Sequence, residues 1–326
     1  MKNSVYCVIP NWNGKALLKA CLDSLLGQSL QPIIIVVDNG STDESVAFIR
    51  KSYPDVQLIE FNKNYGFAGG VNAGIKAALQ AGATYIAAFN NDAVADKNWL
   101  AGLVKTAKSD SRFGIVTSKI MRSDQKHLDS TGDFYSIWGL PFPRGRNEVD
   151  SGQYDSQTEI FGASGGASLY NAQMLKQIGL FDESFFAYFE DVDISFRAQL
   201  AGWKIRYEPK AIVYHEVSAT SSKMGNFSRY HSSKNFMLLY AMNMPTSLYF
   251  KYLPLFTLQL ARWFLSSLVK GKVLPFLKGI FVAFTLTPHI IRNRHQVQKS
   301  RTVSVSYIDS MLYHHRPPRP PEVEEL

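Results

Sequence analysis

Cysteine is almost missing from this chain. Only Cys7 and Cys21 occur in 326 residues, which excludes a disulfide framework and any cysteine-based metal spacing and fits a reducing, cytoplasmic compartment. Long apolar runs are also scarce. The uninterrupted stretches stay below the roughly 20 residues a spanning helix needs, and the short run at residues 5–9 reads as a first strand, not a signal peptide. No Gly-Lys-Ser/Thr follows a glycine-rich loop, so there is no P-loop, and no dinucleotide fingerprint follows the first strand. Acidic residues thin out toward the end: residues 200–326 hold 17 Lys/Arg against 6 Asp/Glu (+11), residues 1–199 hold 18 against 21 (−3), together the net +8. The rest, 46% apolar and 19% charged, is the composition of a folded protein long enough for one large α/β domain and an appendage.

Short apolar runs at residues 5–9, 33–37, 56–61 and 85–89 alternate with helical patterns at 15–26, 43–51 and 70–79. Near-continuous apolar strands separated by helices predict a mostly parallel sheet covered on both faces. Further strands are expected at 115–120, 161–170, 204–207 and 211–215, with a helix over 190–201 stopped by Gly202. Residues 123–156, rich in Gly, Pro, Ser and Asp, form a long irregular connection of the kind that borders a site.

Three acidic segments carry the chemistry. Asp38 closes an apolar strand, where a carboxylate can accept hydrogen bonds from a base or ribose. The Asn39-Gly40-Ser41-Thr42-Asp43 that follows predicts a turn and helix start, with Ser41 or Thr42 capping and Asp43 or Glu44 facing the dipole. Asn90-Asn91-Asp92 ends another strand, suited either to an Asx-turn or to a divalent cation bridging phosphates. His215, at the end of the last expected strand, is a second candidate ligand or a structural histidine. Glu190-Asp191-Val192-Asp193 follows an aromatic run that includes Phe185, Phe186, Tyr188 and Phe189. Burial and like-charge repulsion there should raise at least one carboxyl pKa and make a general base. The glycine-dense Asn64–Gly74 segment allows two readings, a phosphate cradle at a helix start or close packing of helix on sheet.

Beyond about Met224 the chain is apolar, aromatic and basic, interrupted by Lys251, Arg262, Lys270, Lys272 and Lys278. Helices lying in an anionic membrane interface suit this pattern better than nucleic-acid binding, and no nucleic-acid partner is expected. A helical subdomain or dimer interface is the ordinary alternative.

Taken in order, Val8-Ile9-Pro10-Asn11-Trp12-Asn13-Gly14, Val37 through Asp43, Asn62 through Asn72, Asn90-Asn91-Asp92 and Ile178 through Arg197 resemble the inverting family 2 glycosyltransferases of GT-A fold, especially the bacterial rhamnosyltransferase type. The resemblance covers residues 4 to about 220. It implies a glycosyltransferase moving a sugar from a nucleoside-diphosphate donor to a lipid-linked or oligosaccharide acceptor in cell-surface polysaccharide synthesis. It implies donor contacts at Pro10, Asn11, Asp38, Asn39, Asn64, Gly66, Asn72, Asn90 and Asn91, metal ligation by Asp92 and His215, and Asp191 as the base with Glu190 beside it. It also implies a Mn2+ or Mg2+ cofactor, although Asn90 stands where the first acid of an Asp-x-Asp motif is common, and Asn is a poorer ligand. The Gln-x-x-Arg-Trp signature of processive synthases is absent, so single addition is expected. The expected division is 1–225 for the GT-A domain, 226–315 for a membrane-associated helical region and 316–326 for a disordered tail, with the protein peripheral on the inner face of the plasma membrane. A sugar-nucleotide pyrophosphorylase and a non-catalytic scaffold at the membrane surface are the competing readings.

Overall fold

The computed structural model describes residues 4–216 and 226–321. In chain order the elements are β1 (Val5–Asn11), α1 (Lys15–Leu26), β2 (Ile33–Asp38), α2 (Ser45–Ser52), β3 (Gln57–Glu60), α3 (Gly66–Gln80), β4 (Tyr85–Phe89), β5 (Ala93–Ala95), α4 (Trp99–Ser109), β6 (Phe113–Arg122), β7 (Leu128–Ser130), β8 (Asp133–Tyr135), β9 (Pro141–Pro143), β10 (Ala167–Asn171), α5 (Ala172–Ile178), α6 (Glu190–Leu200) and β11 (Lys204–His215). Five helices follow: α7 (Phe227–Asn243), α8 (Thr246–Val269), α9 (Val273–Thr285), α10 (Thr287–Lys299) and α11 (Val305–Met311).

The main sheet runs β3-β2-β1-β4-β10-β6-β11-β5, with β7 beside β6. Its first four strands are parallel, β10 lies antiparallel between β4 and β6, and β6 pairs parallel with β11. Strand alternation explains why the strands are apolar on both sides. Val5, Cys7 and Ile9 join the core under α1 and α4, while Tyr6 and Val8 join the core under α3, α5 and α6. Gly74 is one residue that lets α3 lie this close, since a Cβ there would stand 2.3 Å from Val8 Cγ1. Both cysteines are buried and free.

Several expectations shift in register or kind. The strand expected at 161–170 is only β10, because residues 161–166 leave the sheet and turn into the site. The two expected strands at 204–207 and 211–215 are one strand, β11, with a register irregularity between Glu208 and Ile212. Helix α4 has no counterpart among the helices expected from the sequence. The irregular connection 123–156 contains β7 and the β8–β9 hairpin. Neither Ser41 nor Thr42 caps α2. Ser41 Oγ accepts from Asn13 N at 2.9 Å, Thr42 N donates to Asn13 Oδ1 at 2.8 Å, and Asp43 instead accepts from Ser45 N at 3.2 Å. Ser41 and Thr42 tie the loops after β1 and β2 together instead of opening a helix. Gly202 does follow α6 with φ +85°.

The C-terminal helices are not set apart from the sheet. Tyr135, Phe161 and Phe196 share one core with Phe236, Leu239 and Tyr240 of α7, and the α7 and α8 aromatics Phe236 and Phe256 stack at 4.5 Å. The expected boundary at 225 falls outside the described residues. Of the expected tail 316–326, residues 322–326 also fall outside them, while Pro321 O accepts from Asn147 Nδ2 at 2.8 Å.

Candidate active site

The C-terminal ends of β1, β2 and β4 deliver Asn11, Asp38 and Asn90 to one side of the sheet, the usual ligand side of an open α/β sheet. A cavity of about 450 Å³ opens there. It is lined by Pro10, Asn11, Asn39, Asn64, Gly66, Asn90, Asn91, Asp92, Glu190, Asp191 and His215, so segments more than two hundred positions apart in sequence meet at one place. Asp38 and Asn72 do not line it. Asp38 is buried beneath, accepting from Asn11 Nδ2 at 3.0 Å and Ser41 N at 2.8 Å. Asn72 is a bracket between α3 and the segment after α5: its Nδ2 donates to Phe181 O at 2.8 Å and its Oδ1 accepts from Phe181 N at 3.1 Å. Both side chains use their polar atoms inside the protein, which explains their retreat from the cavity.

At one end, His215 lies between two carboxylates. Its Nε2 is 3.1 Å from Asp92 Oδ1 and its Nδ1 is 2.9 Å from Asp129 Oδ2. Burial alone would lower the imidazole, but the hydrogen bonds to Asp129 and Asp92 outweigh it and push His215 up to about 10. The carboxylates thus favour positive charge at Nε2, the same preference that would hold a divalent cation there. A proton kept on Nδ1 by Asp129 leaves Nε2 as the ligating nitrogen, the usual arrangement behind a metal-bound histidine. Arg146 Nη2 stands 3.4 Å from Asp129 Oδ1 and borders the cavity. Among the described residues no three His, Cys, Asp or Glu side chains form a ready metal cage. Asp92 and His215 therefore fit a site whose remaining ligands are oxygens of a bound phosphate or water.

At the other end, α6 begins at Glu190 behind Phe189, which sits at φ +69°. Asp191 Oδ2 accepts from Gly165 N at 2.9 Å and Oδ1 from Val192 N at 2.8 Å. Burial raises its pKa even against those hydrogen bonds. Burial, then repulsion from Asp191, drives Glu190 well above the carboxylate range, and its Oε2 has no hydrogen-bond partner. The third acid faces elsewhere. Asp193 pairs with Arg197 at 2.8 Å and accepts from Asn243 Nδ2 at 2.7 Å, so it anchors the helix and does not crowd the cavity. Gly66 supports the same corner: at φ +77° a Cβ would meet Phe186 O at 2.3 Å.

Sequence reasoning missed Asp129, Asp133 and Arg146, all on the cavity wall. Asp133, buried and facing the charge of Asp191, is pushed up to about 8. The available signal was Asp129-Ser-Thr-Gly-Asp133, two carboxylates flanking a turn within the stretch already expected to border a site.

A sheet ending in amides, a carboxylate–imidazole pair that can take a cation, and a buried base candidate on the far wall define a nucleotide-sugar transferase site. Comparison with known proteins narrows this. Residues 6–179 match the family described as glycosyl transferase family 2, and the chain belongs to that family and is a glycosyltransferase. It is 27% identical over 243 residues, 68% of this chain and 79% of the relative, to N-acetylglucosaminyl-diphospho-decaprenol L-rhamnosyltransferase of Mycobacterium tuberculosis. It is 25% identical over 192 residues to the poly-beta-1,6-N-acetyl-D-glucosamine synthase of Staphylococcus aureus, 57% of this chain but 43% of that one. In fold it resembles S. aureus TarS 1-349 in complex with UDP (TM-score 0.54, 15% identity, 97% of this chain and 95% of that chain), whereas it spans 43% of the longer TarS chain. A Pyrobaculum calidifontis mannosyltransferase in complex with GDP-Man and Mn2+ is similar at TM-score 0.54, 14% identity, with 95% and 86% covered. The mixed, mostly parallel sheet with flanking helices is consistent with the GT-A fold of such enzymes.

Proposed function

We propose that this glycosyltransferase inverts the anomeric centre in a single displacement, moving a sugar from a nucleoside-diphosphate donor to a lipid-linked or oligosaccharide acceptor in cell-surface polysaccharide synthesis. The observation that carries the reading is the placement of Asp191 and the Asp92–His215 pair on walls of one cavity. The donor diphosphate lies near Asp92, His215 and the start of α3, where the positive end of the helix dipole favours anions. The nucleotide side is formed by Pro10, Asn11, Asn39, Asn64 and Gly66, with Asn90 and Asn91 toward the ribose, while Asp38 holds Asn11 in place from below. An acceptor hydroxyl attacks the anomeric carbon from the side opposite the diphosphate. The new C–O bond forms as the bond to the diphosphate breaks, the bonding pair leaves on the phosphate oxygen, and the hydroxyl proton passes to Asp191. A divalent cation, Mn2+ or Mg2+, bound by Asp92 and His215 would neutralise charge on the departing diphosphate. The Mn2+ held together with GDP-Man in the mannosyltransferase neighbour supports that cofactor. The name of the mycobacterial relative supports a rhamnosyl donor and a diphospholipid acceptor.

An anionic membrane surface completes the proposal. Of the large apolar side chains exposed among the described residues, ten of fifteen lie between Phe250 and Ile291 on α8–α10, including Val269 at 88% and Leu274 at 82% exposure. No Asp or Glu occurs between Glu216 and Asp309, so the charges around them are basic. A surface of this kind suits anionic lipid and repels a second copy of itself. No single described helix is long and apolar enough to cross a membrane; the α9–α10 pair passes only together, bent by 63°. The protein is then peripheral, on the cytoplasmic face where donor nucleotides are made.

The test combines donor and product. Nucleotide sugars are screened by thermal shift with and without Mn2+, and the stabilising donor is incubated with a diphospholipid-linked sugar. Expected are a new glycosidic linkage and, by NMR, an anomeric configuration opposite to the donor's. Retention of configuration would overturn the mechanism. Sedimentation of Val269→Asp/Leu274→Asp with phosphatidylglycerol liposomes as strongly as the parent would overturn the membrane surface.

A further inference from the structure

The loop that leads into Asp191 is conformationally disfavoured. Phe186, Tyr188 and Phe189 all have left-handed φ, at 66°, 70° and 69°, a region that bulky side chains avoid. Such backbone persists only where its surroundings over-determine it. Most of the side-chain hydrogen bonds to this loop come from α7, in the C-terminal region, and α3 of the sheet domain adds a backbone contact. Asn235 Nδ2 donates to Phe185 O at 3.0 Å, Ala187 O at 2.8 Å and Tyr188 O at 2.6 Å. Lys234 Nζ donates to Ser184 O, and to Phe185 O at 3.4 Å. His231 stacks on the Phe186 ring at 5.1 Å and lies tilted against Phe227 at 4.3 Å. Residues 227, 231, 234 and 235 share one helical face, so α7 meets the loop with one stripe. Both Lys234 and Asn235 are buried.

The loop in turn bridges both halves of the cavity. Phe186 O accepts from Ala68 N of α3 at 3.2 Å, and Phe189 O accepts from Asp193 N at 2.9 Å in the first turn of α6. Asp191 lies in that turn.

We propose that Lys234 and Asn235 are positioning residues for sugar transfer: from the C-terminal helix they lock the disfavoured 185–189 loop and thereby hold Asp191 against Gly165, facing the cavity. The inference rests on Asp191 acting as base. The helices after residue 226 are then part of the catalytic apparatus, and two of the four carbonyl groups that α7 binds, those of Ala187 and Tyr188, belong to residues that line the cavity wall. A lysine ammonium and a carboxamide suit this role because each offers more than one donor, and the carbonyls of 184–188 only accept.

The experiment uses the full chain and the variants Asn235→Ala and Lys234→Met. Expected is a fall in kcat of at least tenfold with donor Kd, by calorimetry, within twofold of the parent. Amide exchange should accelerate in peptides covering 185–191 and stay unchanged in β1 and β4. Asn235→Asp, which keeps the shape and removes the donor, should behave as Asn235→Ala. A kcat within threefold of the parent, a parallel loss of donor affinity, or unchanged exchange at 185–191 would overturn the proposal. If Asn235→Ala does not fold, Lys234→Met carries the same expectations. Absence of transfer by the parent protein would defeat the base assignment instead, and the exchange data would then decide the clamp alone.

Discussion

Replacing Asp191 by Asn separates catalysis from stability. The carboxylate accepts from Gly165 N at 2.9 Å and Val192 N at 2.8 Å, one bond on each oxygen. Asn keeps one oxygen, so one buried N–H loses its acceptor at a cost of about 1–3 kcal/mol. The opposing effect comes from charge. Burial holds the folded-state pKa of Asp191 above its unfolded value. The ionised side chain therefore subtracts stability above the folded pKa, and the penalty vanishes below the unfolded one. At neutral pH the amide removes that penalty, so the two effects oppose each other and Tm falls by less than the lost hydrogen bond alone would give. Catalysis has no such compensation. A positioned base contributes about 10²–10⁴ in rate, or roughly 3–5 kcal/mol at 1.36 kcal/mol per tenfold. The expected result is a kcat loss of that size, donor Kd near the parent's, and loss of the acidic limb of the kcat/KM pH profile. In the parent that limb lies above the ordinary carboxylate range, with rate rising as Asp191 ionises while stability declines. The assay pairs initial rates over pH with thermal denaturation. A kcat within tenfold of the parent refutes Asp191 as base.

Asp129→Asn should weaken Mn2+ binding about 10- to 100-fold, read by electron paramagnetic resonance titration, because the amide no longer fixes the proton on His215 Nδ1; unchanged affinity would remove Asp129 from the metal end. Arg197→Met should destabilise by about 3–5 kcal/mol in denaturant titration, since Asp193 is left buried and unpaired and Ile178 O and Leu180 O lose their donor; a change below ~1 kcal/mol would contradict the buried pair. Asp133→Asn should raise Tm relative to the parent by an amount that grows from pH 4 to about pH 8, because the parent's folded pKa near 8 makes its ionisation increasingly costly to the fold across that window. A constant Tm difference across that window would contradict the burial argument.

What could be read from the sequence was whatever is encoded locally. Apolar runs such as Ile33–Asp38 announce strands because both faces are covered, and Asn90-Asn91-Asp92 announces a strand end because short polar side chains stop the run. Most of the strand-end wall of the cavity follows, since strand ends of a parallel sheet converge by topology alone. The errors lie where a side chain's target is distant. Asp38 and Asn72 have the right chemistry for a ligand, yet their partners Asn11 and Phe181 lie 27 and 109 positions away and take their polar atoms. Asp193 sits within the acidic cluster, but one helical turn directs it to Arg197 and Asn243. Asp129 and Arg146 come from a connection without periodicity, so nothing in spacing could set them beside His215. The same limit hid α7: a stripe of Phe227, His231, Lys234 and Asn235 looks ordinary until the carbonyls of residues 184–188 stand opposite it. Local patterning places the strand-end residues of the cavity, whereas the loop before Asp191 is tied by hydrogen bonds that α7 makes to residues far away in the chain.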